Sequence, residues 1–170
     1  MKKLLLSLLI TLSTTILAKT PESLFGVYIN DNVLDYVTKE EIKSKERDYA
    51  RGFYYVLLKN PPVSNKDYSD NLFVMFDKNN KIAEIQSDKQ FQNSETCEKV
   101  EIGVRKALEN KYNIEFVRNS RTKHGFGKWV EDNVIGTQCK VFSDDKTTLF
   151  ITLWTKKYFE KFIEYINSKI

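Results

Sequence analysis

The sequence predicts an α+β fold in which an antiparallel sheet of five to seven strands carries two main amphipathic helices on one face. Several short segments alternate apolar and polar residues, as strands do. Two longer segments, 93–112 and 156–169, repeat apolar residues every three or four positions, which is typical of helices with one apolar side. Each helix follows two strand-like segments joined by a polar turn, which raises the hypothesis of two hairpin-helix units.

The composition is that of an ordinary globular protein. Of the 170 residues, 41% are hydrophobic and 29% are charged, which excludes a disordered chain, a collagen and a membrane protein with several spans. Removing Lys2 and Lys3 from the 27 basic residues leaves 25 against 23 acidic residues, a net charge of about +2. Because this balance is nearly neutral, we expect no binding to nucleic acid.

The N-terminal segment has the three parts of a secretory signal peptide. Two lysines follow Met1, an apolar run spans 4–12, and Ala18 offers a small residue before the cleavage site. The apolar run is shorter than the roughly 20 residues that a membrane span needs. We therefore expect residues 1–18 to be removed and residues 19–170 to form one domain. The mature protein is then periplasmic or secreted, without stable membrane insertion.

The chain has two cysteines, Cys97 and Cys139. Exported proteins meet an oxidising environment, and an even number of cysteines favours pairing. We therefore predict a disulfide between them. The alternative is two buried free thiols.

The first half of the chain predicts a strand, a short helix, a second strand and a hairpin. The first strand is the apolar run 24–29, and the helix begins after Thr38, where Thr38 and Glu41 have the spacing of a capping box. Segment 49–58 is apolar on both sides of a strand, which predicts a central strand or a covered edge. The hairpin then turns at the polar residues 77–80.

The second half predicts a long helix, a short strand, a hairpin and a last helix. The long helix spans 93–112 and stops at Asn113, and the short strand follows at 114–117. The strands of the hairpin lie within 129–142 and 147–155. The last helix has an apolar stripe formed by Phe159, Phe162, Ile163, Ile166 and Ile170.

The sequence offers little catalytic or metal-binding equipment. His124 is the only histidine, and no Gly-x-Ser-x-Gly motif accompanies it. One histidine and two cysteines are too few for a structural zinc site. The glycine motifs that bind nucleotide phosphates are absent from the sequence. We therefore predict no catalytic residue, no metal and no cofactor.

The remaining chemical feature is a basic segment, residues 118–128, which we predict to be a loop. It contains no acidic residue, and Gly125 and Gly127 allow the backbone to approach a ligand. The alternative is a solvated loop whose charge is balanced by acidic residues elsewhere. The candidate contacts to an anion or a partner are Arg118, Arg121, Lys123, His124 and Lys128.

These observations favour a non-catalytic binding or interaction module, exported by a bacterium. Its expected partner is a protein or an anionic ligand in the cell envelope. The alternative function is a small hydrolase that uses carboxylates or His124. The sequence resembles no specific family closely enough to assign residues from it.

Overall fold

The computed structural model describes residues 18–45, 52–118, 125–142 and 146–168. In chain order, its elements are β1 (Ser23–Leu24), β2 (Val27–Tyr28), a short 3₁₀ helix (Val33–Asp35), α1 (Lys39–Lys45), β3 (Phe53–Leu58), β4 (Asn71–Asp77), β5 (Ile82–Phe91), α2 (Ser94–Tyr112), β6 (Val117–Arg118), β7 (Gly125–Val130), β8 (Asn133–Val141), β9 (Thr147–Thr155) and α3 (Lys156–Asn167).

The described ranges form an antiparallel sheet of seven strands, in the order β3-β4-β5-β9-β8-β7-β6. Strands β1 and β2 form a separate small sheet. The predicted α+β class and the predicted number of strands are confirmed. Both predicted hairpins, β4–β5 and β8–β9, are present, and each leads into a helix. The two units meet where β5 pairs with β9, at the centre of the sheet.

Cross-strand pairing assigns the side chains to two faces, because direct partners lie on the same side of a sheet. Ile135 of β8 pairs with Leu153 of β9. They belong to the face that packs against α2, which we call the α2 face. Val134 pairs with Trp154 on the opposite side, which we call the α3 face. The period of two along each strand separates these faces cleanly.

Helix α2 forms in the predicted segment and packs its apolar side against the α2 face. The side chain of Asn93 caps its first turn by accepting a hydrogen bond from the Thr96 N–H at 2.9 Å. Asn113 ends the helix in the left-handed conformation, with φ of 50°. The predicted disulfide is confirmed: Cys97 of α2 is bonded to Cys139 of β8, with their Cα atoms 6.1 Å apart.

Helix α3 lies on the α3 face, so the prediction that both main helices cover one face is wrong. Tyr158 is only 1% exposed and packs edge-on against Phe53, with 4.8 Å between the ring centroids. The Phe162 ring also packs edge-on, against Trp154, with 5.7 Å between the ring centroids. Each helix has one apolar side in the sequence, but that side does not specify which face of the sheet it meets. The matching aromatic rings of β3 and β9 decide it here.

The N-terminal segment extends the core of the α2 face. The predicted strand 24–29 is instead a very short hairpin, β1–β2, because Phe25 and Gly26 have positive φ values of 51° and 77°. A Cβ on Gly26 would lie 2.8 Å from Pro62 Cβ, so the close approach requires glycine. Val27 is fully buried in the main core cluster.

Helix α1 confirms the predicted capping box. The Thr38 N–H donates to Glu41 Oε2 at 3.0 Å, and the Glu41 N–H donates to Thr38 Oγ1 at 3.2 Å.

Strand β3 lies at the edge of the sheet. Phe53 and Val56 are buried on its two sides, so the covered edge is the correct one of the two predicted alternatives.

Candidate functional site

The basic segment 118–128 is not a loop at either of its ends. Arg118 ends β6 and pairs with Phe126 of β7, and Lys128 also belongs to β7. Gly127 pairs with Val117 and Gly136, so its backbone is part of the sheet. This differs from the prediction that the glycines present a loop to a ligand. The other candidate contacts, Arg121, Lys123 and His124, lie outside the described residues.

Arg118 borders a cleft of about 300 Å³ between α2 and the β6–β7 pair, which we call the α2 cleft. The acidic residues Glu98 and Glu101 of α2 line the same cleft, together with Arg105. The basic segment is free of acids in the sequence, but the tertiary structure places two carboxylates beside it. Attraction of an anion to this end of the segment is therefore weakened by neighbouring negative charge.

The contacts inside the α2 cleft are made largely among its own side chains. Glu101 is only 4% exposed, and its Oε1 accepts a hydrogen bond from Thr137 Oγ1 at 2.5 Å. Arg105 Nε lies 3.7 Å from the same oxygen. The Arg105 guanidinium also stacks on Phe126, 3.9 Å from the ring centroid. These partners satisfy the buried carboxyl group of Glu101 where α2 packs against the sheet.

A larger concave feature, of about 460 Å³, lies beside α3 on the α3 face, and we call it the α3 groove. Its floor is a row of cross-strand partners from four adjacent strands. Two members of the row are glycines, so the floor is low. A Cβ on Gly136 would lie 3.1 Å from the Phe126 carbonyl oxygen and 3.4 Å from Thr152 Oγ1. The row consists of Gln86, Thr152, Gly136 and Gly127.

Aromatic rings form the walls of the α3 groove. On the helix side, Trp154 packs against Phe159 at 5.2 Å and against Phe162 at 5.7 Å between ring centroids. Phe150 stands on the opposite side, two residues before Thr152 in the same strand. All four rings are only partly buried. Polar side chains of β8 complete that second side, namely Gln138 and Lys140.

Glu84 lies under α3, next to the groove, in the same cross-strand row as Trp154. It is only 2% exposed, and burial raises its pKa to about 8, although interactions with Tyr158 and Trp154 oppose the rise. Glu84 is therefore predominantly protonated near neutral pH. Glu84 and Glu101 lie on opposite sides of the sheet, so these two buried carboxyl groups do not form a catalytic pair.

Sequence reasoning did not identify the α3 groove. A weak signal exists, since β5 carries Glu84, Gln86 and Asp88 at alternate positions, whereas Ile85 and Ser87 on the opposite side of the strand are fully buried. That pattern indicates that one side of the strand is polar and does not belong to an apolar core. It does not show that Thr152 and Gly136 lie beside Gln86, because strand order in the sheet determines this contact.

No known family model, curated protein or solved structure matches this chain. Within the four described ranges, no helix is long and apolar enough to cross a membrane. The same ranges contain no group of three or more His, Cys, Asp or Glu side chains placed to hold a metal ion. The functional interpretation therefore depends on the geometry of the α2 cleft and the α3 groove.

Proposed function

We propose that this protein is an exported, non-catalytic binding module of the bacterial cell envelope, and that its ligand occupies the α3 groove. The observation that carries the proposal is the combination of partly exposed aromatic walls and a polar floor in one concavity. The volume of about 460 Å³ falls in the range of small-molecule sites, roughly 300–1,000 Å³. Apolar walls with a few convergent polar groups are typical of such sites.

The α3 groove is a better candidate than the α2 cleft because of what its side chains contact. In the α2 cleft, the charged groups of Glu101 and Arg105 are close to each other, and Arg105 stacks on Phe126. A ligand would have to compete with these contacts. In the groove, the rings of Phe150 and Trp154 remain partly exposed. Covering them removes apolar surface from water, which favours binding at about 25 cal/mol per Å².

Export of the module is supported by two features of the chain. Residues 1–18, of which 1–17 lie outside the described residues, have the pattern of a signal peptide. The disulfide between Cys97 and Cys139 is compatible with an exported protein, since disulfides persist in oxidising compartments. The basic segment 118–128 remains a second predicted contact, for an acidic partner in the envelope.

The binding function can be tested by mapping small-molecule binding on the protein. We would record amide NMR spectra of the purified protein with a set of small neutral and acidic organic compounds. Compounds that bind should perturb a contiguous group of amides around Gln86, Gly136 and Thr152. Perturbations that are confined to α2 and β6, or the absence of any perturbation in the groove, would contradict the proposal.

A further inference from the structure

We propose that the α3 groove binds a short saccharide, an inference that rests on the binding function proposed above. The feature that points to this ligand is the position of two aromatic rings, Phe150 and Trp154, on either side of the polar pair Gln86 and Thr152. A pyranose ring matches this arrangement. Its faces present C–H groups that pack on aromatic rings, whereas its hydroxyl groups both donate and accept hydrogen bonds.

The floor supplies the hydrogen-bonding groups that a saccharide needs. Gln86 and Gln138 each carry an amide with two N–H donors and one carbonyl acceptor, and Thr152 carries a hydroxyl that can do both. A sugar hydroxyl can therefore donate to one of these groups while it accepts from another. Gly127 and Gly136 have no side chains above the sheet, so a ring can approach the floor closely.

An acyl chain suits the groove less well than a saccharide. It would remove water from the amide of Gln86 and the hydroxyl of Thr152 without replacing their hydrogen bonds, and buried polar groups without partners are costly. Among the described lining residues, Val134 is the only aliphatic one. The walls are formed by flat rings rather than by the branched aliphatic side chains that surround a lipid tail.

An extended peptide is also disfavoured, because strand addition needs a sheet edge with unpaired backbone groups. The floor lies in the interior of the sheet, where β5, β8 and β9 each have a neighbouring strand on both sides. A peptide in the groove could contact side chains only. The main-chain hydrogen bonds that give strand addition its affinity would be missing.

The charge of the groove narrows the ligand class further. Lys140 is the only charged residue among the described lining residues, and it is exposed at the rim. One ammonium group can attract one carboxylate, but exposed charges interact weakly and are screened by salt. We therefore expect a saccharide with a single acidic group to bind somewhat more tightly than a neutral one, at low salt only.

The test uses tryptophan fluorescence, because the chain has two tryptophans and one of them lines the groove. In a Trp129→Phe background, Trp154 is the single fluorophore. We would titrate this protein with chitotriose, maltotriose and a trisaccharide that ends in a uronic acid. At least one of them should change the Trp154 emission saturably, with the acidic sugar preferred at low salt.

Matched variants in the same background locate the site. Phe150→Ala removes one wall, and Thr152→Val removes the floor hydroxyl with little change of shape. Each should weaken binding by roughly tenfold. Tyr55→Ala is the control, since Tyr55 is a half-buried aromatic residue of the α3 face that lies on β3 and does not line the groove. It should change the affinity by less than about twofold. Circular dichroism would establish that each variant folds.

Octanoate serves as the counter-probe that separates this inference from the binding function. If octanoate changes the Trp154 emission and the saccharides do not, the saccharide assignment is overturned and the binding function stands. If no probe perturbs the groove, both are overturned. Saccharide binding that Phe150→Ala and Thr152→Val leave unchanged would overturn the assignment to this groove.

Discussion

The two faces of the sheet are closed in different ways. The α2 face packs mainly aliphatic side chains under a helix of 19 residues, which is fixed to the sheet by the disulfide between Cys97 and Cys139. The α3 face packs aromatic rings under a helix of 12 residues. The shorter helix covers only part of its face, and the α3 groove lies beside it.

This difference means that one scaffold combines a closed core with a partly open surface, where we propose that a ligand binds. The fully buried aliphatic side provides stability through the removal of apolar area from water. The partly covered aromatic side retains exposed ring surface and a titratable group, Glu84, close to it. Groove residues that lie outside the core clusters, such as Phe150 and Thr152, can therefore be changed separately from the residues of the α2 core.

The two hairpin-helix units differ in which face of the sheet their helices cover. Each consists of an antiparallel hairpin followed by a helix, and the units meet at the antiparallel pair β5–β9. A two-fold axis through that pair, perpendicular to the sheet, would place both helices on the same face. Helices α2 and α3 lie on opposite faces instead. The similar order of elements is thus not accompanied by two-fold symmetry in space.

The largest expected effect is the loss of the disulfide, which would test how the α2 face is held. The bond closes a loop across a sequence separation of 42, and the chain-entropy model then gives a loss of about 4 kcal/mol in the free energy of unfolding. Urea denaturation of a Cys97→Ala, Cys139→Ala double variant measures it. Dithiothreitol should destabilise the wild-type protein but not the double variant, which has no disulfide to reduce. A loss below about 1 kcal/mol would mean that packing holds α2 by itself.

The corresponding test of the α3 face is Tyr158→Ala. Tyr158 is the buried residue that anchors α3, so its removal should cost about 3 kcal/mol of unfolding free energy. Tyr158→Phe keeps the ring that packs on Phe53 and should cost much less. Thermal or urea unfolding measures both variants. Equal losses in the two variants would contradict the importance of ring packing.

The pH dependence of stability should differ between the faces because of Glu84. Its pKa is about 8 in the folded protein against 4.5 for the ordinary side chain, so the folded state binds an additional proton between these values. The stabilising contribution is complete below about pH 4.5 and is lost as the pH rises through 8. The free energy of unfolding should therefore fall steadily as the pH rises from 5 to 8.5.

Urea unfolding of Glu84→Gln tests this assignment, because the variant cannot titrate and should show a flatter pH profile than the wild type. Burial also raises the pKa of Asp88, so part of the slope should remain. Glu95→Gln, which removes an exposed carboxylate that pairs with Lys99 on the surface of α2, is the matched control. An unchanged slope in Glu84→Gln would show that another group is responsible.

The smallest expected effect on stability concerns the basic segment. The double variant Arg118→Ala, Arg121→Ala should change the free energy of unfolding by less than about 0.5 kcal/mol. It should bind inorganic polyphosphate more weakly, and that binding should depend less on salt concentration. Isothermal titration calorimetry at two salt concentrations measures the binding. Arg105→Ala provides the contrast, since Arg105 stacks on Phe126 and should cost more stability. Unchanged polyphosphate binding would mean that the segment is a solvated surface with no role in binding anions.

Local patterns were sufficient to predict most elements. The capping box at Thr38 and Glu41, the Asn93 and Asn113 ends of α2, and the two hairpins are all present. These features depend on residues that are close in the sequence, so short-range chemistry specifies them. Gly26 is one exception, because its positive φ turns an apolar run into two strands. The other is the basic segment 118–128, which the sequence predicts to be a loop but which begins in β6 and ends in β7.

The sequence by itself determined the α+β class, the boundaries of the long helices and the pairing of the only two cysteines. Only the tertiary structure decided which face each helix covers, that acidic residues of α2 stand beside Arg118, and that the α3 groove exists. The physical reason is the range of the interactions. Helix caps and strand alternation involve near neighbours, whereas the groove brings together Gln86, Gly136 and Thr152 through the order of strands in the sheet.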